Sequence, residues 1–357
     1  MSQRAAAVAL LCLALTVTCE ARTASVEELR ADARPQATVS EAMSPWWTAF
    51  NEAPLPALQR AAASRPQAAP ALSSGSSSLP LDAQVAAAYV GLRTFHLRWR
   101  LALEMRDTLE LQRRVLAAAP PIAAMGEALK TIDQRRATCD RLAAAMQSQR
   151  DASVNALAVL TGKSVQDLFG ELHDALESHD LPAFDAPTPE RLPRSVLMSR
   201  PDVSASRSLI ALGPRSSPEV QRQLAIGPAN LTGWIAAAPG AVPSMPGSEL
   251  PDVQNLLTVS AQAESEVSAD LSALQQRTVR AARLFEVVKS RQMELEAVKR
   301  RQQVGAATQH DVILGTQALL VDDDELAASA GELAYAWIRL QASTGGQALQ
   351  ARGQPDE

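Results

Sequence analysis

Across 357 residues, 34 Lys and Arg stand against 39 Asp and Glu, leaving a net charge of −5. That balance gives no general attraction to nucleic acid or to anionic lipid. The chain is 46% hydrophobic but only 3% aromatic, and its apolar content is mostly Ala and Leu, a mixture suited to long helices that approach closely through small side chains.

The first element is a targeting segment. Arg4 precedes an apolar run from Ala5 to Val17, which fits the core of a signal peptide and is too short to span a bilayer as a helix. Cys19 follows at once, with Thr18 before it and Thr16 three before it, an imperfect lipobox. Two outcomes stay open: lipid attachment at Cys19, or ordinary cleavage near Ala21. Either way Cys139 is left alone, so no internal disulfide is expected. Residues 22–82 then read as irregular, with a dense cluster at Trp46, Trp47 and Phe50, a short helix at Leu55–Ala63, and a Pro- and Ser-rich linker.

Long helices follow. From Ala83 to Ala119 there is no Pro and a single Gly, Gly91, which predicts a helix about 55 Å long. Pro120-Pro121 stops it, and a second helix runs from Ile122 to Leu160, ending at Thr161-Gly162. A short amphipathic helix is expected at Val165–Leu176, another at 202–212, and one strand at Leu231–Ala238. A third long helix over Val253–Val304 carries Val267, Leu271, Leu274, Thr278, Ala281, Phe285, Val288, Gln292 and Leu295, a period of about 3.5 residues that marks left-handed coiled packing. Gly305 interrupts it. The fourth helix has Val312, Leu319, Leu326, Leu333 and Leu340 at successive heptad positions and ends in Thr344-Gly345-Gly346. One offset places Thr161-Gly162 on Thr344-Gly345, Leu129 on Val312 and Gln134 on Gln317, so the hairpins read as an internal duplication.

No catalytic constellation emerges. His96, His173, His179 and His310 lack second ligands at helical spacing and read as solvated or locally capped side chains. Asp322-Asp323-Asp324-Glu325 fans around a helix axis and reads as a solvated face. There is no phosphate-cradling Gly loop, nucleophile elbow or Cys pair, so the chain reads as an assembly part that is not an enzyme and uses no metal or cofactor.

Five segments, taken in order, resemble the outer-membrane efflux protein family, the TolC-like and OprM-like channels of tripartite exporters. Trp46-Trp47…Phe50…Pro54-Leu55 is similar to the family's N-terminal pattern. Ala83-Gln84-Val85-Ala86…Tyr89…Leu92-Arg93 resembles the opening of the first hairpin, and Asn155 to Gly162 its close. Leu192-Pro193…Leu197…Arg200-Pro201-Asp202-Val203 resembles the element linking the two repeats. Val304-Gly305-Ala306-Ala307-Thr308…Asp311-Val312 resembles the tip of the last hairpin.

The resemblance implies a mainly α fold of two tandem, long antiparallel hairpins, a TolC-like α-barrel protomer. It implies a homotrimer in the outer membrane with most of its mass in the periplasm, working with a periplasmic adaptor and an inner-membrane pump. It also implies roles. Asp311 falls where the family places an aspartate ring at the periplasmic aperture, and carboxylates meeting on a trimer axis form a charge-sensitive gate. Val304 and Gly305 match the adaptor-docking tip, and Arg200, Pro201 and Asp202 the repeat-linker motif. The division that follows is a signal segment at 1–21, an irregular segment and linker at 22–82, a first hairpin at 83–162, an inter-repeat segment with a residual β-hairpin at 163–252, a second hairpin at 253–346 and a disordered tail at 347–357.

The departures concern the membrane portion. Between Arg65 and Leu81, Pro66, Pro70, Pro80 and a Ser-rich tract leave too little chain for two crossing strands, each of which needs about 9–11 residues. Between Ala225 and Val253 the only aromatic is Trp234. Leu314 stands where the family has a second acid, and Arg207 replaces the acid after the linker motif. The expected β-barrel is therefore reduced or missing. Two functions fit: a channel subunit for export of drugs or other small molecules, or a shortened, pore-less periplasmic protein that binds an adaptor through its helices.

Overall fold

The chain enters through a 3-10 turn at Trp46–Phe50 and a short helix, α1 (Leu55–Ala63). Pro54 and Pro56 stand at the start of α1, where a missing N–H leaves no helical bond unmade. Pro80 precedes α2 (Leu81–Ala117), and α3 (Met125–Thr161) returns alongside it. Two short helices follow, α4 (Val165–Glu171) and α5 (His173–Glu177), in place of the single helix expected over Val165–Leu176; the break falls at the fully buried Leu172. The linker carries α6 (Ser195–Met198) and α7 (Pro201–Leu212), and the second hairpin is α8 (Pro251–Gln303) and α9 (Gln309–Ser343). The structure, a computed structural model, describes residues 45–65, 79–118, 125–178, 189, 192, 195–198, 200–212 and 251–345. Cys19 and the signal segment, the stretch 66–78, the first tip Ala119–Ile122, the strand expected at Leu231–Ala238 and the tail lie outside them. Among the described residues there is no strand, and no helix is long and apolar enough to cross a membrane.

Helix α2 packs along α3, α9 along α8, and α9 along α2, so the long helices lie in the order α3–α2–α9–α8. Burial follows that order. The inner helices are well covered: Val85, Tyr89, Leu92, Leu101 and Leu109 on α2, and Ile313, Ala327, Ala334, Trp337 and Ile338 on α9. Outer helix α3, as long as α2, buries Ile132, Ala143, Val154, Leu157 and Thr161 alone. On α8 the predicted stripe is buried at Val267, Leu274, Val288 and Leu295, while Val279 is 71% exposed and Phe285 43%. Among the described residues the long helices thus form a single layer, in which α3 and α8 each have one long neighbour and α8 also carries α7.

The end of α2 and the start of α9 lie at the same end of the layer, where Gln317 donates from Nε2 to Gln112 Oε1 (2.9 Å). Apolar packing concentrates at the opposite, closing end. There Trp46, Phe50, Leu55 and Leu58 cover Tyr89, Leu92, Leu157, Leu168, Trp337 and Leu340. Nearer the tips the core thins to Leu97, Leu101, Leu320 and Ala327. Ion pairs cross there too, with Arg113 on Asp133 and Arg136 on Glu110.

The duplication is visible where the hairpins close. Thr161 and Thr344 donate their hydroxyls to Leu157 O and Leu340 O at 2.6 and 2.7 Å. The following Gly162 and Gly345 both take positive φ, +74° and +63°, the left-handed turn that glycine tolerates best. The heptad on α9 needs correcting. The most deeply buried line is Ile313, Leu320, Ala327, Ala334 and Gln341, one residue beyond the Leu series. A helix flanked on both sides buries the line between its two seams.

The hairpin tip and the repeat linker as candidate functional site

Local backbone chemistry explains the tip almost completely. Helix α8 ends in a Schellman turn: Gly305 N–H donates to Gln302 O (2.9 Å), Ala306 N–H to Arg301 O (2.8 Å), and Gly305 has φ +72°. Thr308 then caps α9, its hydroxyl accepting from Asp311 N–H (3.2 Å) while the Asp311 carboxylate accepts from Thr308 N–H and Oγ1–H, both 2.8 Å. This reciprocal pair is a capping box. So the Gly-x-x-Thr-x-x-Asp spacing first serves to stop one helix and start the next. The Asp311 carboxyl is exposed and held below the usual carboxylate range, chiefly by the Thr308 backbone N–H and then its hydroxyl. It is charged at neutral pH. Val304 is what local chemistry leaves unexplained: an apolar side chain 79% exposed at the apex.

The linker motif is a clasp. Arg200 donates from Nε and Nη2 to the two carboxylate oxygens of Asp202 (3.0 and 2.7 Å), from Nη2 to Glu266 on α8 (3.0 Å), and from Nη1 to Ser343 O at the end of α9 (2.9 Å). Pro201 opens α7, and Asp202 turns its Oδ1 to Val203 N–H (2.8 Å). A guanidinium on the last carbonyls of α9 also complements the negative end of that helix. Arg200 foremost holds the Asp202 carboxyl low. In the first hairpin Arg65 similarly donates to Val159 O near the end of α3. Tip and clasp therefore sit at opposite ends of the layer, and the structure does not bring Asp311 or Val304 near Arg200.

Two further groups escaped the sequence reading. The acidic run is not simply a solvated face: Asp324 accepts a two-pronged bond from Arg98 on α2 (2.8 and 3.0 Å), and Asp322 accepts from Arg291 on α8 (3.0 Å). Alternate members thus bind the inner helices to each other and α9 to its partner. His96, read as solvated, is buried beside Trp99 and Arg150; His173 is exposed. Side-chain identity alone could not show either, since both depend on which neighbour each helix face meets.

The described residues thus form a layer of two long helical hairpins, with a capped tip on the second and a shared core at the opposite end. No protein-family model matches the sequence, and no curated protein matches it. Solved structures do share its fold. One is CusC, solved in crystal structures concerned with folding and transmembrane channel formation: TM-score 0.54, 16% identity, covering 74% of this chain and 77% of that one. Another is the Neisseria gonorrhoeae MtrE outer membrane channel in its open state: TM-score 0.51, 18% identity, covering 74% of this chain and 66% of that one. The mainly α, tandem-hairpin fold expected from the sequence is therefore the one found.

Proposed function

We propose that the chain is a subunit of an outer-membrane channel in a tripartite efflux system, a passive conduit for export of drugs or other small molecules. The observation that carries this reading is the single layer of long helices, in which α3 and α8 each have one long neighbour. The apolar side chains that a lone chain leaves exposed, Val279, Phe285, Val287 and Met293 on α8 and Val159 on α3, cost free energy until neighbouring copies cover them. Three copies side by side, on the pattern of the channels that share the fold, close the layer into a periplasmic tube. Asp311 then lines the narrow end as a gate, Val304 and Gly305 present the docking tip to a periplasmic adaptor, and an inner-membrane pump supplies the cargo. Outer-membrane lipid surrounds the opposite end, with Cys19 as a candidate attachment.

A second reading is favoured by the short connection between α1 and α2, which lacks chain for a pair of crossing strands. In it the helices form a pore-less periplasmic assembly that binds an adaptor. Planar-bilayer recording on the purified oligomer separates the two. The channel reading expects discrete, cation-preferring conductance whose preference weakens in Asp311→Asn. An oligomer that inserts without conducting overturns the channel reading in favour of the second.

A further inference from the structure

His96 is 9% exposed, and neither Nδ1 nor Nε2 has a hydrogen-bond partner. An imidazole in that state is tolerated only neutral, because nothing solvates the charged form. Its charged neighbours come from several elements. Along α2, Arg93 and Arg100 lie a turn to either side, Arg93 being paired with Glu52 at 2.9 Å. Arg150 faces it from α3, and Glu177 on α5 is the opposing charge. Helix α4 contributes the Phe169 ring. Burial first, then Arg150 and Arg100, push the imidazole down to about 4.

The same groups form a joint. Arg100 Nη1 donates to Leu176 O (3.4 Å) and Glu177 O (3.0 Å), holding the end of α5. The Arg150 guanidinium lies 4.9 Å from the Trp99 ring and 5.6 Å from the Phe169 ring, gripping α4 against the hairpin. His96 rests against Trp99 at 5.5 Å. A cleft of about 280 Å³, lined by His96, Trp99, Arg100, Leu103, Glu104 and Glu177, opens beside the joint.

We propose that His96 is an acid-sensitive latch whose protonation detaches α4–α5 from the first hairpin. An imidazolium there has two N–H donors without acceptors and stands beside Arg93 and Arg100 of its own helix and Arg150 of α3. Moving α5 away gives up the Glu177 charge but admits water, which solvates the two donors and screens the arginines. The sign follows from the neutral form being the bound one: attachment is complete above about pH 6.5 and is lost as pH falls toward about 4, since the detached state takes up the proton first.

Hydrogen exchange of the full chain tests this, with rates corrected for their intrinsic pH dependence and followed from about pH 7 to about pH 4. Peptides spanning 165–177 should lose protection at least about tenfold in the wild type. His96→Leu and His96→Gln should retain it, and α8 and α9 peptides report whether the fold is intact. His96→Lys should show the detached pattern already near neutrality. Equal loss in the wild type and in whichever neutral variant folds, or full protection of the wild type down to about pH 4, overturns the proposal.

Discussion

Glu52 sits where two sequence motifs meet. Its Oε2 accepts from Tyr89 O–H (2.6 Å) and Arg93 Nη1 (2.9 Å), and the Arg93 and Glu52 side chains are only 6% and 11% exposed. Burial first, and then Glu52, push the Tyr89 phenol far above its ordinary value, so it acts as a fixed donor. Removing one member of a buried pair strands the other charge, and Glu52→Ala is expected to lower stability by about 3 kcal/mol in chemical denaturation. Glu52→Gln, which keeps an acceptor, should cost less. At the tip, Thr308→Ala removes the cap of α9 and should cost about 1 kcal/mol. Asp311 adds an acid dependence. Its carboxyl is lowered in the fold, so its contribution is present above about pH 4 and is lost as pH falls through the lowered value. Asp311→Asn should flatten that limb of the stability profile; an unchanged limb would show that the capping box does not hold in solution.

Elements meet through glycine in two different ways. A Cβ at Gly331 on α9 would stand 2.6 Å from Thr94 Cγ2 and 3.2 Å from Thr94 Cβ on α2. The β-branched Thr94 cannot swing clear, so Gly331→Ala forces the inner helices apart, with an expected loss of about 1–3 kcal/mol. Gly305 has open space around it but φ +72°. Gly305→Ala therefore costs about 1 kcal/mol through backbone strain alone, and Gly305→Asn should recover part of it. A comparison of thermal unfolding in the two alanine variants, with and without a second substitution Thr94→Ser, separates the causes: only the Gly331 variant should respond. The long helices themselves were legible, because Pro-free runs and Thr-Gly stops are local signals; their ends moved by only a few residues. The tip motif was legible as a position but not as a Schellman turn followed by a capping box. The Leu heptad of α9 gave its period but missed the deepest line by one residue, since a sequence stripe does not reveal that two neighbours flank the helix. Arg98 with Asp324, and His96 with Arg150, were invisible for the same reason: each partner lies on another helix, at a register that packing decides.

On the scale of the molecule, the packing changes from one end of the layer to the other. The core gathers at the closing end, where α1, α4 and the Trp46 cluster cover the hairpins, and gives way to polar pairs toward the tips. The layer is thus held by apolar packing at one end and by ion pairs toward the other. Under the proposed function the outer helices supply the surface between copies: Val159 on α3 is 72% exposed and Val279 on α8 is 71% exposed. In that function copies of this chain meet edge to edge. The most direct test of that contact places a photo-activated cross-linker at Val159 and, separately, at Val279, in the full chain. Covalent dimers and trimers of the chain, with Val159 joined to α8 of a second copy and Val279 joined to α3, are the predicted result. Products confined to single chains, or joined only to other proteins, would contradict it.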